Sequence, residues 1–140
     1  MFAHLQDWIY SMFNMTFPES IKTCLDKYAN AKGRAPRSEY WWFVVFCWIV
    51  IFGVSILFGI IGAMINHEAG AAAAGMVGYN LASLALAIPS ICVLIRRLHD
   101  TGHSGLWFFI IFIPLIGGLW LLYLMIKDSD DENEYGLPVY

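Results

Sequence analysis

The chain has 140 residues, 59% of them hydrophobic and only 14% charged, with a formal net charge of -3. Its mean hydropathy of +0.62 excludes a cytosolic or secreted soluble domain, in which about a quarter of the residues carry charge. The net charge averages a basic front half and an acidic tail, so the placement of charge is more informative than its sum.

Residues 1–39 read as an amphipathic interfacial segment of one or two helices. Phe2, Leu5, Trp8, Ile9, Met12 and Phe13 recur at three- and four-residue spacing and form one aromatic-rich stripe. The segment has no basic start and is interrupted by Gln6, Asp7 and Asn14, which is not the pattern of a signal peptide. After Pro18 the periodicity returns, with Ile21, Cys24, Leu25 and Tyr28 on one face and Glu19, Lys22, Asp26 and Lys27 on the rest. Thr16 and Glu19, three apart, predict a capping box. Such a helix either senses lipid or a partner, or packs against the membrane helices as an anchor.

Three stretches without Asp, Glu, Lys, Arg or His follow, about 40–65, 70–95 and 106–126. Each reaches the roughly 20 residues that a membrane-crossing helix needs. The predicted fold class is therefore an all-α membrane protein: three transmembrane helices, preceded by the interfacial helices and followed by an acidic tail at 127–140. In the second span Gly70, Ala74, Gly78 and Ala82 repeat every four residues, a pattern that admits a closely packed helix from the same or another chain. Asn80 is expected to hydrogen-bond across helices, and Pro89 and Pro114 to kink theirs. Pro114, Gly117 and Gly118 leave a second reading for the third stretch, a re-entrant hairpin that returns the tail to the side it came from.

Charge flanking sets the orientation. Lys22, Lys27, Lys32, Arg34 and Arg37 precede the first span, Arg96 and Arg97 close the second, and the Asn66–Ala69 connection has no Lys or Arg. Three spans with a cytoplasmic N-terminus put seven of the eight basic residues inside and the tail from Lys127 outside. The spans carry no ionisable side chain, which argues against a proton pump or ion-coupled carrier. Cys24, Cys47 and Cys92 are far apart and form neither a disulfide framework nor a CxxC metal motif.

Polar chemistry is concentrated in two segments, residues 33–42 and 96–105. Under this orientation they share one membrane face, gathering Arg34, Arg37, Arg96 and Arg97 with Glu39, Asp100, His99 and His103. Guanidinium groups match phosphate in two-point contacts, so the layer suits anionic phospholipid headgroups, with Glu39 and Asp100 orienting the arginines. Counting four guanidiniums against two carboxylates leaves two positive charges for headgroups. The plainer reading pairs the acids with arginines, lets Ser104 cap the third span, and leaves the remaining arginines to set topology.

Two catalytic readings centre on the same loop. Gly102-His103-Ser104-Gly105 contains a GxSG string, and His99, Asp100 and His103 are potential metal ligands. Neither has a complete constellation: no histidine lies in a span to serve as a base from its own support, and no fourth ligand stands at characteristic spacing. Asp128, Asp130 and Glu132 alternate like a calcium loop but lack its glycine and final glutamate.

Four motifs carry a family resemblance: GRAPRSEYWWF before the first span, RRLHDTGHSGLW between the second and third, IPLIG in the third and ENEYGLP in the tail. Together they resemble the domain of unknown function 805 family, the YhaH-type small bacterial inner-membrane proteins, over about Tyr28 to Pro138. The resemblance implies a multi-pass protein of the bacterial cytoplasmic membrane and no established activity. It adds motif positions without roles at Gly33, Arg34, Arg37, Glu39, Tyr40, Trp41, Arg96, Arg97, Leu98, His99, Asp100, Ser104 and Gly105, and at Asn133 and Gly136.

The expected function is a non-enzymatic membrane scaffold or binding component without cofactor or metal. Its expected partners are the bilayer, anionic headgroups, and a second copy or another membrane protein, and not nucleic acid. The alternatives are a membrane-embedded hydrolase or metal-dependent enzyme at His99, Asp100, His103 and Ser104, and a subunit of an oligomeric transporter.

Overall fold

The computed structural model describes residues 14–139 together with Leu5, Gln6 and Ile9. Of the N-terminal stripe, Leu5 and Ile9 are helical and exposed, whereas Phe2, Trp8, Met12 and Phe13 lie outside the described residues. The described residues form helix α1 (Phe17–Asp26), helix α2 (Arg37–Asp100), a 3-10 helix (Gly105–Phe112) and helix α3 (Ile116–Ile126). Their only β-type pairing is an isolated bridge between Asn133 and Gly136. Two compact units result, one made of residues 1–43 with 89–140 and the other of residues 44–88.

The Thr16–Glu19 box starts α1: the Thr16 backbone amide donates to the Glu19 carboxylate at 2.9 Å and its hydroxyl at 2.7 Å. These bonds hold the Glu19 carboxyl below its ordinary value of 4.5. The buried face of α1 differs from the expected apolar one. Ser20 and Cys24 are buried, whereas Leu25 and Tyr28 are exposed. Small side chains on that face let polar groups meet, since the Ser20 hydroxyl donates to the Glu39 carbonyl at 2.6 Å.

Helix α2 contains the first two apolar stretches and breaks only at Asn66 and His67, whose backbone leaves helical geometry. His67 takes a left-handed φ of 43° there. The connection expected over residues 66–69 is thus a two-residue reversal. Pro89 leaves the helix unbroken. Within residues 44–88 the small-residue repeat finds its partner in the preceding arm of the same chain. A Cβ on Gly62 would overlap the Gly70 carbonyl and stand 2.6 Å from the Ala74 Cβ, and one on Gly78 would lie 2.9 Å from the Val54 carbonyl oxygen. A polar bond between the arms comes from Ser55, whose hydroxyl donates to the Gly75 carbonyl at 2.9 Å. Asn80, expected to play that part, donates instead to Met76 of its own helix at 2.7 Å. A side-chain amide reaches the carbonyl four residues back without help from a neighbour.

The third stretch is not one continuous helix. It is split into the 3-10 helix and α3 by a break at Ile113–Leu115. Pro114 has no amide proton and cannot extend the helical bonding, and Leu115 takes a φ of 62°. The two pieces fold back on each other. A Cβ on Gly117 would collide with the Ile110 carbonyl, and Trp107 meets Trp120 with ring centroids 6.4 Å apart. Leu98, Leu121, Leu124 and Met125 form the buried apolar cluster here, with Tyr40, Trp41, Leu94, Phe108 and Ile110 packed on it. The 106–126 stretch, expected as one helix, is thus a helical hairpin.

The glycine contacts generate a matched pair of variants. Gly70→Ala places a methyl group against backbone that cannot yield cheaply and should cost about 1–3 kcal/mol. Gly53→Ala meets nothing within 4 Å and should be neutral or stabilising by up to about 1 kcal/mol through helix propensity. Thermal unfolding in mild detergent checks both, and equal melting of the two variants would contradict the packing of the arms.

Candidate functional site: a buried arginine layer

The four arginines singled out from the sequence come together, and all are buried: Arg34 is 6% exposed, Arg37 2%, and Arg96 and Arg97 0%. An unpaired guanidinium would be costly in such surroundings, so each must find an acceptor for its charge. Arg34 Nε donates to Asp100 at 2.9 Å. Arg97 Nη1 pairs with the other oxygen of the same carboxylate, and Arg96 Nη1 pairs with Glu39. Arg37 Nη2 reaches Asp128 at 2.7 Å.

Asp128 was not among the expected partners. The count of two spare guanidiniums is corrected accordingly, because the tail brings a third carboxylate and a row of carbonyls to the layer. Arg34 uses all five of its N–H groups: besides Asp100 Oδ1 it donates to the carbonyls of Asp131 at 2.8 Å, Gly136 at 2.9 Å and Asp100 at 3.1 Å, and to that of Asp130. The left-handed φ of 126° at Gly136, together with its bridge to Asn133, curls the tail so that its carbonyls converge on one guanidinium. An amide at Asp130 closes the loop by donating to the Asp100 carbonyl at 3.0 Å.

The last carbonyls of a helix have no partner within it and carry its negative dipole end. In α3 those groups face Arg97 and Arg37. Arg97 donates to the carbonyls of Met125 at 3.4 Å and Leu124 at 3.5 Å and to that of Lys127, and Arg37 Nη1 donates to Ile126 at 3.2 Å. Two guanidiniums thus cap the C-terminal end of the hairpin, and this draws Lys127 and the tail to the layer that contains residues 34–39. The tail packs against that layer.

Glu39 and Asp100 each form ion pairs with arginines. Asp100 accepts from Arg34, Arg97 and the Ser129 hydroxyl, the last at 2.6 Å. Glu39 accepts from Arg96 and from the Cys24 thiol at 3.6 Å. Burial, then the nearby Glu39 charge, pushes the Cys24 thiol up to about 12. Among the described residues Arg96 Nε has no partner.

The remaining candidates make local contacts. His99 Nδ1 lies 3.0 Å from the Gly33 carbonyl, and its ring stacks on Tyr135 at 4.0 Å. His103 Nδ1 lies 2.7 Å from the Thr101 carbonyl. Ser104 caps the 3-10 helix by accepting from the Leu106 amide at 3.3 Å. No hydrogen bond joins either imidazole to the Ser104 hydroxyl among the described residues. Nor do those residues contain a group of three His, Cys, Asp or Glu side chains placed to hold a metal ion. Asp100, central to both catalytic readings, is occupied by Arg34 and Arg97.

Asp128, Ser129, Tyr135, Ser20 and Cys24 are the members that sequence reasoning missed. The available signal was the arithmetic itself, an arginine excess beside a tail with five acids between Asp128 and Glu134. Removing one partner of a buried pair leaves an uncompensated charge, so Arg97→Ala should cost about 3–5 kcal/mol in detergent melts. For Arg96 and Glu39, the double alanine variant should be less destabilised than the sum of the singles by about 0.5–3 kcal/mol. Additive losses would mean that the two do not interact. Cys24 should resist maleimide at pH 8 until the protein unfolds, as read by mass spectrometry, since neither a thiolate nor access is present in the fold.

Residues 28–137 match the family described as "Protein of unknown function (DUF805)". The chain is 34% identical over 113 residues to the inner membrane protein YhaI of Escherichia coli (strain K12), covering 80% of this chain and 87% of that protein. It is 31% identical over 117 residues to the inner membrane protein YhaH of the same organism, covering 80% and 88%. No solved structure matches. The matched region contains every arginine, both orienting acids and the tail through Gly136, and the chain belongs to the DUF805 family.

Proposed function

We propose that the chain is a non-enzymatic scaffold of the bacterial inner membrane, with its arginine layer at the cytoplasmic surface. The observation that carries this reading is the composition of the layer. Four buried guanidiniums tie α1, the residues before α2, the end of α2 and the tail into one polar assembly, while their acids are consumed in pairing. Such an assembly holds segments together, and among the described residues it contains no group of three His, Cys, Asp or Glu side chains placed to hold a metal ion.

The topology proposed with it has two full crossings, by the arms of α2, and a re-entrant 105–126 hairpin. It puts both chain ends in the cytoplasm and the Asn66–His67 reversal outside. Lys127 then joins the other seven basic residues on the cytoplasmic side, which satisfies the positive-inside rule better than three crossings do. Each arm of α2 exceeds the roughly 20 residues that a crossing requires.

Anionic headgroups retain a place at the rim. Arg37 is 2% exposed at its side chain while its partner Asp128 is 71% exposed, so a lipid phosphate reaches this guanidinium by displacing Asp128.

Reporter fusions should read cytoplasmic after residue 139 and periplasmic at His67, and a periplasmic tail would defeat the re-entrant topology. Asp128→Asn should melt within about 0.5–1 kcal/mol of the parent, as expected for a pair with one exposed partner. The same variant should co-purify with more anionic phospholipid and show the salt dependence of surface charge. Unchanged lipid content would remove headgroups from the layer and leave a purely structural lock.

A further inference from the structure

Residues 105–126 present an unusual apolar surface. Phe112 is 74% exposed, Leu115 84% and Ile116 71%, all around the reversal and therefore far from the polar layer. Both ends of the hairpin are tied to that layer. Ser104 begins it three residues after Thr101, whose amide bonds back to Arg97 and Leu98, and the guanidiniums of Arg97 and Arg37 hold the carbonyls at its close. With a rise of about 2.0 Å per 3-10 residue and 1.5 Å per α residue, each limb reaches about 16 Å. A hydrocarbon core of about 30 Å is two leaflets of about 15 Å.

The aromatic residues agree with that depth. In sequence Trp107 stands near one end of the stretch and Trp120 and Tyr123 near the other, as though marking two interfaces. In the fold they cluster, with Trp107 and Trp120 centroids 6.4 Å apart and Trp120 and Tyr123 5.5 Å apart. Tryptophan and tyrosine favour the headgroup level, and a single cluster marks a single interface. Hydrocarbon requires backbone donors to be satisfied internally, and at the tip the amides of Ile113, Ile116, Gly117 and Leu119 bond within the hairpin while Pro114 has none to satisfy.

We infer that residues 105–126 form a half-depth wedge occupied by the acyl chains of one leaflet, the leaflet beside the arginine layer, and that the protein thereby concentrates in membrane convex on that side. The wedge adds two helical cross-sections of about 10–12 Å each to one leaflet and nothing to the other. Lipid in the enlarged leaflet accommodates this with least strain where that leaflet is stretched by curvature. The partner is a lipid surface selected by packing, apart from any headgroup. The inference rests on the proposed membrane-surface position of the arginine layer, and it does not depend on which side of the membrane that surface faces.

The test uses the full chain in vesicles of phosphatidylethanolamine and phosphatidylglycerol, with nitroxide labels on Leu106→Cys, Leu115→Cys and Leu122→Cys introduced singly. The native thiols are buried. Labels at 106 and 122 should respond alike to an impermeant relaxant added on one side, with the label at 115 deepest. Opposite-side responses from 106 and 122 would overturn the wedge by making the stretch a crossing. In vesicles sorted by size, protein with the layer outward should be enriched about twofold or more per unit area at the smallest diameters, in keeping with curvature-sensitive insertion. A flat response with the correct depth profile would overturn curvature selection while leaving the arginine lock standing. Arg97→Ala separates the two in the other direction, since loss of the lock with an unchanged depth profile would refute the dependence of the wedge on the layer.

Discussion

The capping of the α3 C-terminus by Arg97 and Arg37 is the interaction on which the rest of this architecture depends. A helix end whose carbonyls lack partners is unfavourable anywhere and most of all at the edge of a hydrocarbon phase, where water is scarce. Guanidinium groups answer it with several donors each and with positive charge against the negative end of the dipole. Once Leu124, Met125, Ile126 and Lys127 are held by arginines of α2, the chain that follows can only continue along the layer. That is how Asp128, Asp130, Asp131 and Gly136 come to reach Arg37 and Arg34.

Burying four guanidiniums has a desolvation cost that ion pairing alone seldom repays by much, so the hydrogen bonds to backbone carbonyls matter as much as the carboxylates. A half-assembled layer leaves charges unpaired, which separates the correct arrangement of these segments from near alternatives by several kcal/mol. Arg34 shows the demand most clearly. Its five donors require acceptors from the end of α2 and three tail residues at once, and the Gly136 backbone conformation is one that residues with a Cβ rarely adopt. Asp100 sits at the centre because a carboxylate with two oxygens can receive Arg34 on one and Arg97 and Ser129 on the other.

The loop that looks most chemical in sequence is explained by the same demand. His99 docks Gly33 and stacks on Tyr135, Ser104 starts a helix, and Asp100 neutralises arginines. Clustering of histidine, aspartate and serine within a few residues is what a polar turn between two apolar elements requires for its own hydrogen bonding, and it becomes catalytic only when a base is aimed at a nucleophile. In this loop the Nδ1 atoms of His99 and His103 lie beside the Gly33 and Thr101 carbonyls.

Helical class, the apolar stretches, the Thr16–Glu19 box, the close-packing glycines and the arginine-rich segments were all legible in the chain itself, because each depends on periodicity, local spacing or composition. Asn80 misled because a long-range bond and a bond to the residue four back look identical in sequence. Whether residues 106–126 form one rod or two limbs was decided by tertiary structure, since Pro114 permits either and the outcome turns on what receives the carbonyls at the end of α3. The same holds for the charge of the layer. Composition shows four arginines beside two acids, but the third acid arrives from a tail that looks solvated until the fold brings its backbone within reach of Arg34, and contact between residues about a hundred positions apart is a property that no local pattern records.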